Sequence, residues 1–180
     1  MNMVKSIVTT NQAVDPLNYR NAMSQFAGAV NIVTTDGPAG RRALTLSAGC
    51  SVSDNPATIL ICLQRIHTDN LMFIENGVFA FNVLHAGQKD LAEAFAGRNQ
   101  LTMEERFALG EWDTMATGSP VLNNALASLD CKIISCQDHA THHVLFGEVL
   151  ALRQISAEQS QANGNEALVY LNRAYHHLKI

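Results

Sequence analysis

Hydrophobic positions along the chain fall into two rhythms. Tyr19, Met23, Phe26 and Ala27 recur at helical spacing behind Asp15-Pro16, an N-cap with proline at the first helical position, and Gly28 ends the run. This predicts a helix that packs on a sheet or plugs a barrel end. Leu91 and Phe95 form the inner face of a shorter helix over Gln88–Ala96, stopped by Gly97. Thr102-Met103-Glu104-Glu105 reads as a capping box opening another helical turn. The second rhythm is extended. Ala29–Thr35 reads as a first strand, turning through Asp36–Gly40, and Val78–Leu84 as another. Ala57–Leu63, an unbroken apolar run behind the Asp54-Asn55-Pro56 turn, fits a strand buried on both faces. Ala127–Cys136 and His142–Ile155 are long strand-like segments joined at Gln137–Thr141, and Ala167–Leu171 is a last short strand before a tail. Glu158–Asn165 reads as a polar loop, Gly110–Ala125 as irregular chain, and 1–13 as a loose tail.

One stretch stands apart. In Arg42–Pro56, Leu44 and Leu46 alternate with Thr45 and Ser47, and Ala48, Gly49, Cys50, Ser51 and Ser53 follow with little bulk. Hydroxyls on one face beside small side chains suit a flat polar ligand, because main-chain N–H groups can then approach it closely. An edge strand with a solvated Thr/Ser face is the plainer alternative.

About six strands, a few short helices and no regular alternation of strand with helix predict one α+β domain, mainly β, in the form of an antiparallel barrel. No G-x-G-x-x-G occurs, which sets a dinucleotide-binding parallel sheet aside.

Composition narrows the classes. The 180 residues are 47% hydrophobic and only 16% charged, which suggests that part of the surface is covered in an oligomer. The net charge of −4, with no basic run, argues against nucleic acid as a partner. No apolar stretch reaches membrane-spanning length and no signal-like segment opens the chain, so a cytoplasmic protein is expected. Cys50, Cys62, Cys131 and Cys136 lie in apolar segments without C-x-x-C spacing, pointing to free buried thiols.

Candidate chemistry is spread along these elements. Gln64–Asn70 is a polar loop where Thr68 or Asp69 would cap a helix over Asn70–Glu75, with Arg65 and His67 beside its N-terminus as anion partners. Asn82 interrupts an apolar strand and is either a structural tie or a ligand contact. His142 and His143 at a strand start would face opposite sides. With no Cys or carboxylate at a useful spacing, they predict no metal site. One of the group His139, His142 and His143 lining a pocket could bind a phosphate or carry a proton. No G-x-S-x-G elbow supports hydrolysis.

Taken in order, Y-R-N-A-M-S-Q-F-A-G-A-V-N-I-V-T-T, A-L-T-L-S-A-G-C-S-V-S-D-N-P, F-A-F-N-V-L, A-F-A-G, T-H-H-V-L-F-G-E-V and Y-L-N-R-A-Y-H-H-L resemble the short flavin reductases of two-component monooxygenases. The resemblance runs from about Tyr19 to Leu178 and implies the FMN-binding split β-barrel fold. M-E-E-R-F and T-H-H-V resemble most the reductase component of 4-hydroxyphenylacetate 3-monooxygenase. It implies a homodimer that oxidises NADH or NADPH to reduce FMN or FAD, which then leaves for a separate monooxygenase. By the same resemblance, Thr45, Ser47, Ala48, Cys50, Ser51 and Ser53 would bind the flavin ring and ribityl chain. Gln64, Arg65, His67 and Thr68 would approach the phosphate, while Asn82, Phe95 and Gly97 close the site. His142 would serve the nicotinamide side as the catalytic histidine, and Arg173 and Tyr175 match C-terminal basic and aromatic positions. Four positions depart from the family pattern: Ala140-Thr141 stands for Gly-Asp, Gly49 for a bulkier residue, a change expected to widen the flavin pocket or alter stacking, and Ala174 for an arginine. The rival readings are a split-barrel enzyme that keeps its flavin and a flavin binder without turnover.

Overall fold

A computed structural model of the chain describes residues 13–180, so the expected tail lies outside the described residues except for its last position. Helix α1 (Pro16–Met23) starts as expected, the Asp15 carboxylate accepting from the Asn18 N–H at 2.9 Å. It ends at Ser24, well before Gly28, and it plugs nothing: none of its residues is buried, and Phe26 just beyond it is 73% exposed. Polar contacts hold this region in place. Asn172 N–H donates to Ser24 O, and the Gln25 amide donates to Asn172 Oδ1 at 3.2 Å.

The predicted first strand divides at Val30 into β1 (Gly28–Ala29) and β2 (Asn31–Thr35), which join different sheets. The organising stretch divides as well, into β3 (Arg42–Leu46) and β4 (Gly49–Asp54). After these come β5 (Ala57–Gln64), α2 (Leu71–Asn76) behind a 3-10 turn at Thr68–Asn70, and β6 (Val78–Val83). Helices α3 (Lys89–Phe95) and α4 (Met103–Phe107) lead through β7 (Trp112–Asp113) and β8 (Val121–Leu122) to the long hairpin β9 (Ala127–His139) and β10 (His142–Gln154). Then follow α5 (Ala157–Ala162), β11 (Glu166–Leu171) and β12 (Ala174–Lys179).

Seven strands form one antiparallel sheet in the order β3-β2-β6-β9-β10-β5-β4. Its two outermost strands, β3 and β4, are consecutive in the chain and separated only by Ser47 and Ala48. The sheet must therefore curl until its edges nearly meet, and Cys62 N–H donating to Ala48 O at 3.0 Å ties the gap. Period-2 alternation then gives the barrel an inside and an outside. Leu46, Ile59, Ile61, Leu63, Phe79, Phe81 and Leu145 fill the inside, with Phe73 of α2 in the same cluster. Ile32, Ala43, Leu91, Ala92, Phe95, Phe107 and Leu168 make a second core outside, under α3, α4 and the three-stranded sheet β1-β11-β12. An alternating chain that is apolar on both faces is what a sheet with a core on each side requires.

Three elements differ from expectation. The polar loop at 158–165 contains helix α5, begun by a Ser156–Gln159 capping box. The tail is strand β12, returned by a two-residue turn whose Asn172 and Arg173 both take positive φ, 48° and 61°, the backbone of a tight hairpin. The thiols are not uniformly buried: Cys50 and Cys136 are exposed and only Cys131 is fully enclosed, where burial pushes its pKa up to about 12. No helix of the described residues is long and apolar enough to cross a membrane.

Candidate functional site

The free edge of β3 borders a cleft of about 630 Å³. That size suits a small-molecule site, which usually runs to about 300–1,000 Å³. On one side lie Thr45, Ser47 and Ala48; opposite are Cys62 and Gln64 of β5 and His142 at the start of β10. Phe95, Ala96 and Gly97 at the end of α3, together with Arg42, His67, Asn70 and Arg106, complete its lining. β3 is an outermost strand, so its outward N–H and C=O groups have no ladder partner and face the gap between sheet edges. Small side chains at Ser47 and Ala48 leave that backbone accessible, which is the cradle the sequence predicts for a flat polar ligand.

The fit is selective. Of the expected contacts, Thr45, Ser47, Ala48, Gln64, His67, Phe95, Gly97 and His142 do line this cleft. The Thr45 hydroxyl is already committed, donating to Ala92 O of α3 at 2.7 Å, so it fixes α3 against β3. Phe95 is 3% exposed and packs edge-on against Phe107 and Trp112, with ring centroids 5.3 and 5.8 Å away. Gly97 at φ 78° ends α3 in a backbone conformation that glycine adopts without strain. Tyr175 lines an adjoining hollow of about 160 Å³ that shares Thr45, Leu46 and Ser47 with the cleft, and the Arg98 guanidinium stands 5.6 Å from its ring centroid.

Other expected contacts lie elsewhere. Asn82 is fully buried and is a structural tie: its amide donates to Ile32 O at 3.0 Å while Oδ1 accepts from Leu122 N–H and Ser128 Oγ, both at 2.9 Å. Arg173 occupies the β11–β12 turn and donates to Asn21 Oδ1 on the α1 side. Cys50, Ser51 and Ser53 belong to β4 and do not border the cleft. Thr68 lies in the 3-10 turn, where neither it nor Asp69 caps α2, and His67 stands at the cap position without a side-chain bond. Arg65 turns away toward the β9–β10 turn, donating to Ala140 O at 3.1 Å and pairing with Asp138 at 3.3 Å. Gly49 widens no pocket. It faces the barrel interior, where an added Cβ would sit 2.7 Å from Phe81 Cε2.

His142 and His143 do face opposite sides. His142 lines the cleft, and Thr141 Oγ1 lies 2.9 Å from its Nδ1. A hydroxyl can donate or accept, so Thr141 orients the ring without the fixed charge of the aspartate that the resemblance implies at this position. His143 is buried, 2.5 Å from the Asp138 carboxylate directly across the ladder. A carboxylate thus does stand beside a histidine, contrary to the spacing argument, because a hairpin makes residues on adjacent strands neighbours. The ligand atoms of Cys136, Asp138 and His143 come within 4.8 Å of one another. The His143 bond, with a smaller contribution from the paired Arg65 guanidinium, holds the Asp138 carboxyl below its ordinary value.

Sequence reasoning overlooked Arg42 and Arg106. Arg42 opens the organising stretch, and Arg106 lies in the quoted M-E-E-R-F segment, but neither belongs to a local pattern that says it faces a cleft.

Compared with protein families, residues 23–179 match the flavin reductase like domain. The chain belongs to that family. It is 46% identical over 166 residues to FMN reductase (NADH) RutF of Pseudomonas syringae pv. syringae, covering 92% of this chain and 88% of that protein. Among solved structures, a flavin reductase from Haemophilus somnus 129pt superposes with a TM-score of 0.83 at 39% identity, covering 92% of this chain and all of the other. BorF, the flavin reductase component of a bacterial two-component tryptophan halogenase, superposes at 0.81 with 28% identity over 92% of this chain and 99% of its own. The flavin reductase fold expected from the sequence is therefore the fold observed.

Proposed function

We propose that this flavin reductase oxidises NADH and reduces free FMN, releasing the reduced flavin to a separate oxygenase. The observation that carries the reading is the free edge of β3 along a cleft bordered by Ser47, Ala48 and His142, in a chain of this family. Backbone groups of that edge are suited to the polar rim of an isoalloxazine ring, and the ends of the cleft to its tail and to the incoming nicotinamide. The two bound molecules supply the chemistry, a hydride passing from nicotinamide to flavin. The protein holds the two faces together, excludes water with Phe95 and the α3 end, and stabilises developing charge through fixed N–H donors. His142 holds the nicotinamide side as a positioning or proton-carrying group.

FMN and NADH are favoured by the 46% identity to an FMN reductase (NADH), and delivery to an oxygenase by the likeness to a two-component reductase. The finer expectation, 4-hydroxyphenylacetate 3-monooxygenase as the partner, rests on two short segments alone and carries less weight than identity over most of the chain. A homodimer is proposed from the apolar side chains the protomer leaves uncovered: Leu17, Tyr19, Met23 and Phe26 around α1, and Ile134, Leu150 and Leu152 on the long hairpin.

The test follows nicotinamide absorbance while FMN, then FAD, is titrated into protein and NADH. Saturable oxidation that needs flavin well above the enzyme concentration supports diffusible supply. Turnover with a flavin that co-purifies and does not exchange would instead identify a retained prosthetic group, and no oxidation at all a binding protein. In the same assay, His142→Ala is expected to raise the NADH KM or lower kcat. Unchanged constants would remove His142 from the site.

A further inference from the structure

The tip of the β9–β10 hairpin brings together three groups that lie apart in the sequence. Cys136 and Asp138 are two residues apart on β9 and so project from the same face of the strand. His143 stands opposite Asp138 across the ladder, which puts it on that face as well. One donor atom from each, a thiol sulfur, a carboxylate oxygen and a ring nitrogen, lies within 4.8 Å of the other two. His142 points to the opposite face and lines the cleft, so the cluster lies outside the ligand site. The expectation that no metal binds here rested on spacing along the chain, a constraint that strand pairing removes.

The chemistry of the set is selective. A thiolate and a carboxylate carry two negative charges, which match a dication, and imidazole ligates as a neutral group. Sulfur, nitrogen and oxygen together suit a borderline-soft ion such as zinc, whereas calcium and magnesium take oxygen alone. His143 is buried and fixed between β9 and β5, while Cys136 is exposed and the Asp138 side chain is half exposed, so two of the three ligands are free to turn. In a tetrahedral site with ordinary zinc bond lengths the donor atoms stand about 3.3–3.7 Å apart. His143 Nδ1 and Asp138 Oδ1, now 2.5 Å apart, then separate by about 1 Å, a movement the exposed carboxylate can make. Arg65 pairs with the other carboxylate oxygen, Oδ2, at 3.3 Å, and leaves Oδ1 toward the histidine. A ligating carboxylate is ordinarily held by such an outer partner, though here the partner's positive charge weakens the ion's hold.

We propose that Cys136, Asp138 and His143 form a zinc-type metal site at the hairpin tip, with water as the fourth ligand. Binding releases the thiol proton to solvent and moves the imidazole proton to Nε2, freeing Nδ1 to ligate. The ion takes the place of the Asp138–His143 hydrogen bond and clamps β9 to β10 immediately behind His142. An ion that binds only the folded hairpin raises the stability of the protein by mass action.

The experiment titrates Co2+, a visible probe of zinc sites, into full-length protein stripped of metal by a chelator. Wild type is expected to take up one ion per chain, with a sulfur-to-cobalt charge-transfer band that added Zn2+ abolishes. Cys136→Ser, a change at an exposed side chain, is expected to lose the band and bind Co2+ at least about tenfold more weakly, a difference of about 1.4 kcal/mol. Asp138→Asn is expected to keep the band and to weaken binding by a similar factor. Cys50→Ser, at the other exposed thiol, is expected to leave both unchanged. Zn2+ should raise the melting temperature of wild type and not that of Cys136→Ser. His143 is left in place because it is buried, so that no result depends on a variant that fails to fold. No stoichiometric uptake by wild type, a band that survives in Cys136→Ser, or unchanged affinity in either hairpin variant would overturn the site. None of these readouts uses flavin or nicotinamide, so the outcome is independent of the reductase reading.

Discussion

Ala140 shows what a single residue costs. It sits at φ 47° in the β9–β10 turn, a left-handed conformation that a Cβ disfavours by about 1–2 kcal/mol. The resemblance drawn from the sequence implies glycine there. Ala140→Gly is therefore expected to stabilise the protein by about 1 kcal/mol, the relief of strain exceeding the added freedom of the unfolded chain, as a urea midpoint raised at unchanged slope. Unchanged or lowered stability would mean the turn is relaxed with alanine. At this scale the sequence was legible where the signal is local. The caps at Asp15 and Thr102 are where their side chains place them, Asp15 accepting from Asn18 and Thr102 from Glu105. Asn82 and Gly49 were ambiguous because their partners, Ile32, Leu122 and Ser128 in one case and Phe81 in the other, are brought by distant strands.

Among elements, the long β9–β10 hairpin carries an electrostatic knot at its tip. Asp138 is bound to His143 and Arg65, and its carboxyl is held below its ordinary value of 3.8, chiefly by the His143 bond. A carboxylate with a depressed folded pKa contributes stability that is present at higher pH. That stability is lost as pH falls below the ordinary value and through the lowered one. The melting temperature should decline in that acid window, and Asp138→Asn should flatten that part of the profile. An identical acid profile in the variant would show the knot contributes nothing. Strand β12 and helix α5 escaped the hydrophobic pattern for a shared reason. A-Y-H-H-L-K is polar and is made a strand by its ladder to β11, and α5 buries no residue, so only the Ser156–Gln159 capping box marked it. The division of Arg42–Pro56 was equally hidden: alternation says a segment is extended, not which neighbour it pairs with.

For the whole molecule, the apolar surface left open is the feature to test. Phe26 at 73% exposure and Leu152 at 67% are too large and too exposed to be explained by the protomer alone. Leu152→Asp, combined with Leu150→Asp, is expected to shift a dimer toward monomer in light scattering after size exclusion, with the monomer still folded. A wild-type protein that runs as a monomer, or a double variant that stays dimeric, would place the contact elsewhere or remove it.

The step from β3 to β4 across Ser47 and Ala48 also bears on how the chain acquires its site. β3 pairs with β2 and β4 with β5, both close in sequence, so each edge can form early and separately. The edges come face to face only after β5 has found β10 some eighty residues on, a contact whose loop closure is slow. The cleft thus belongs to no fragment of the fold, and competence to hold a ligand arrives with the last long-range pairing rather than with the strand that lines it.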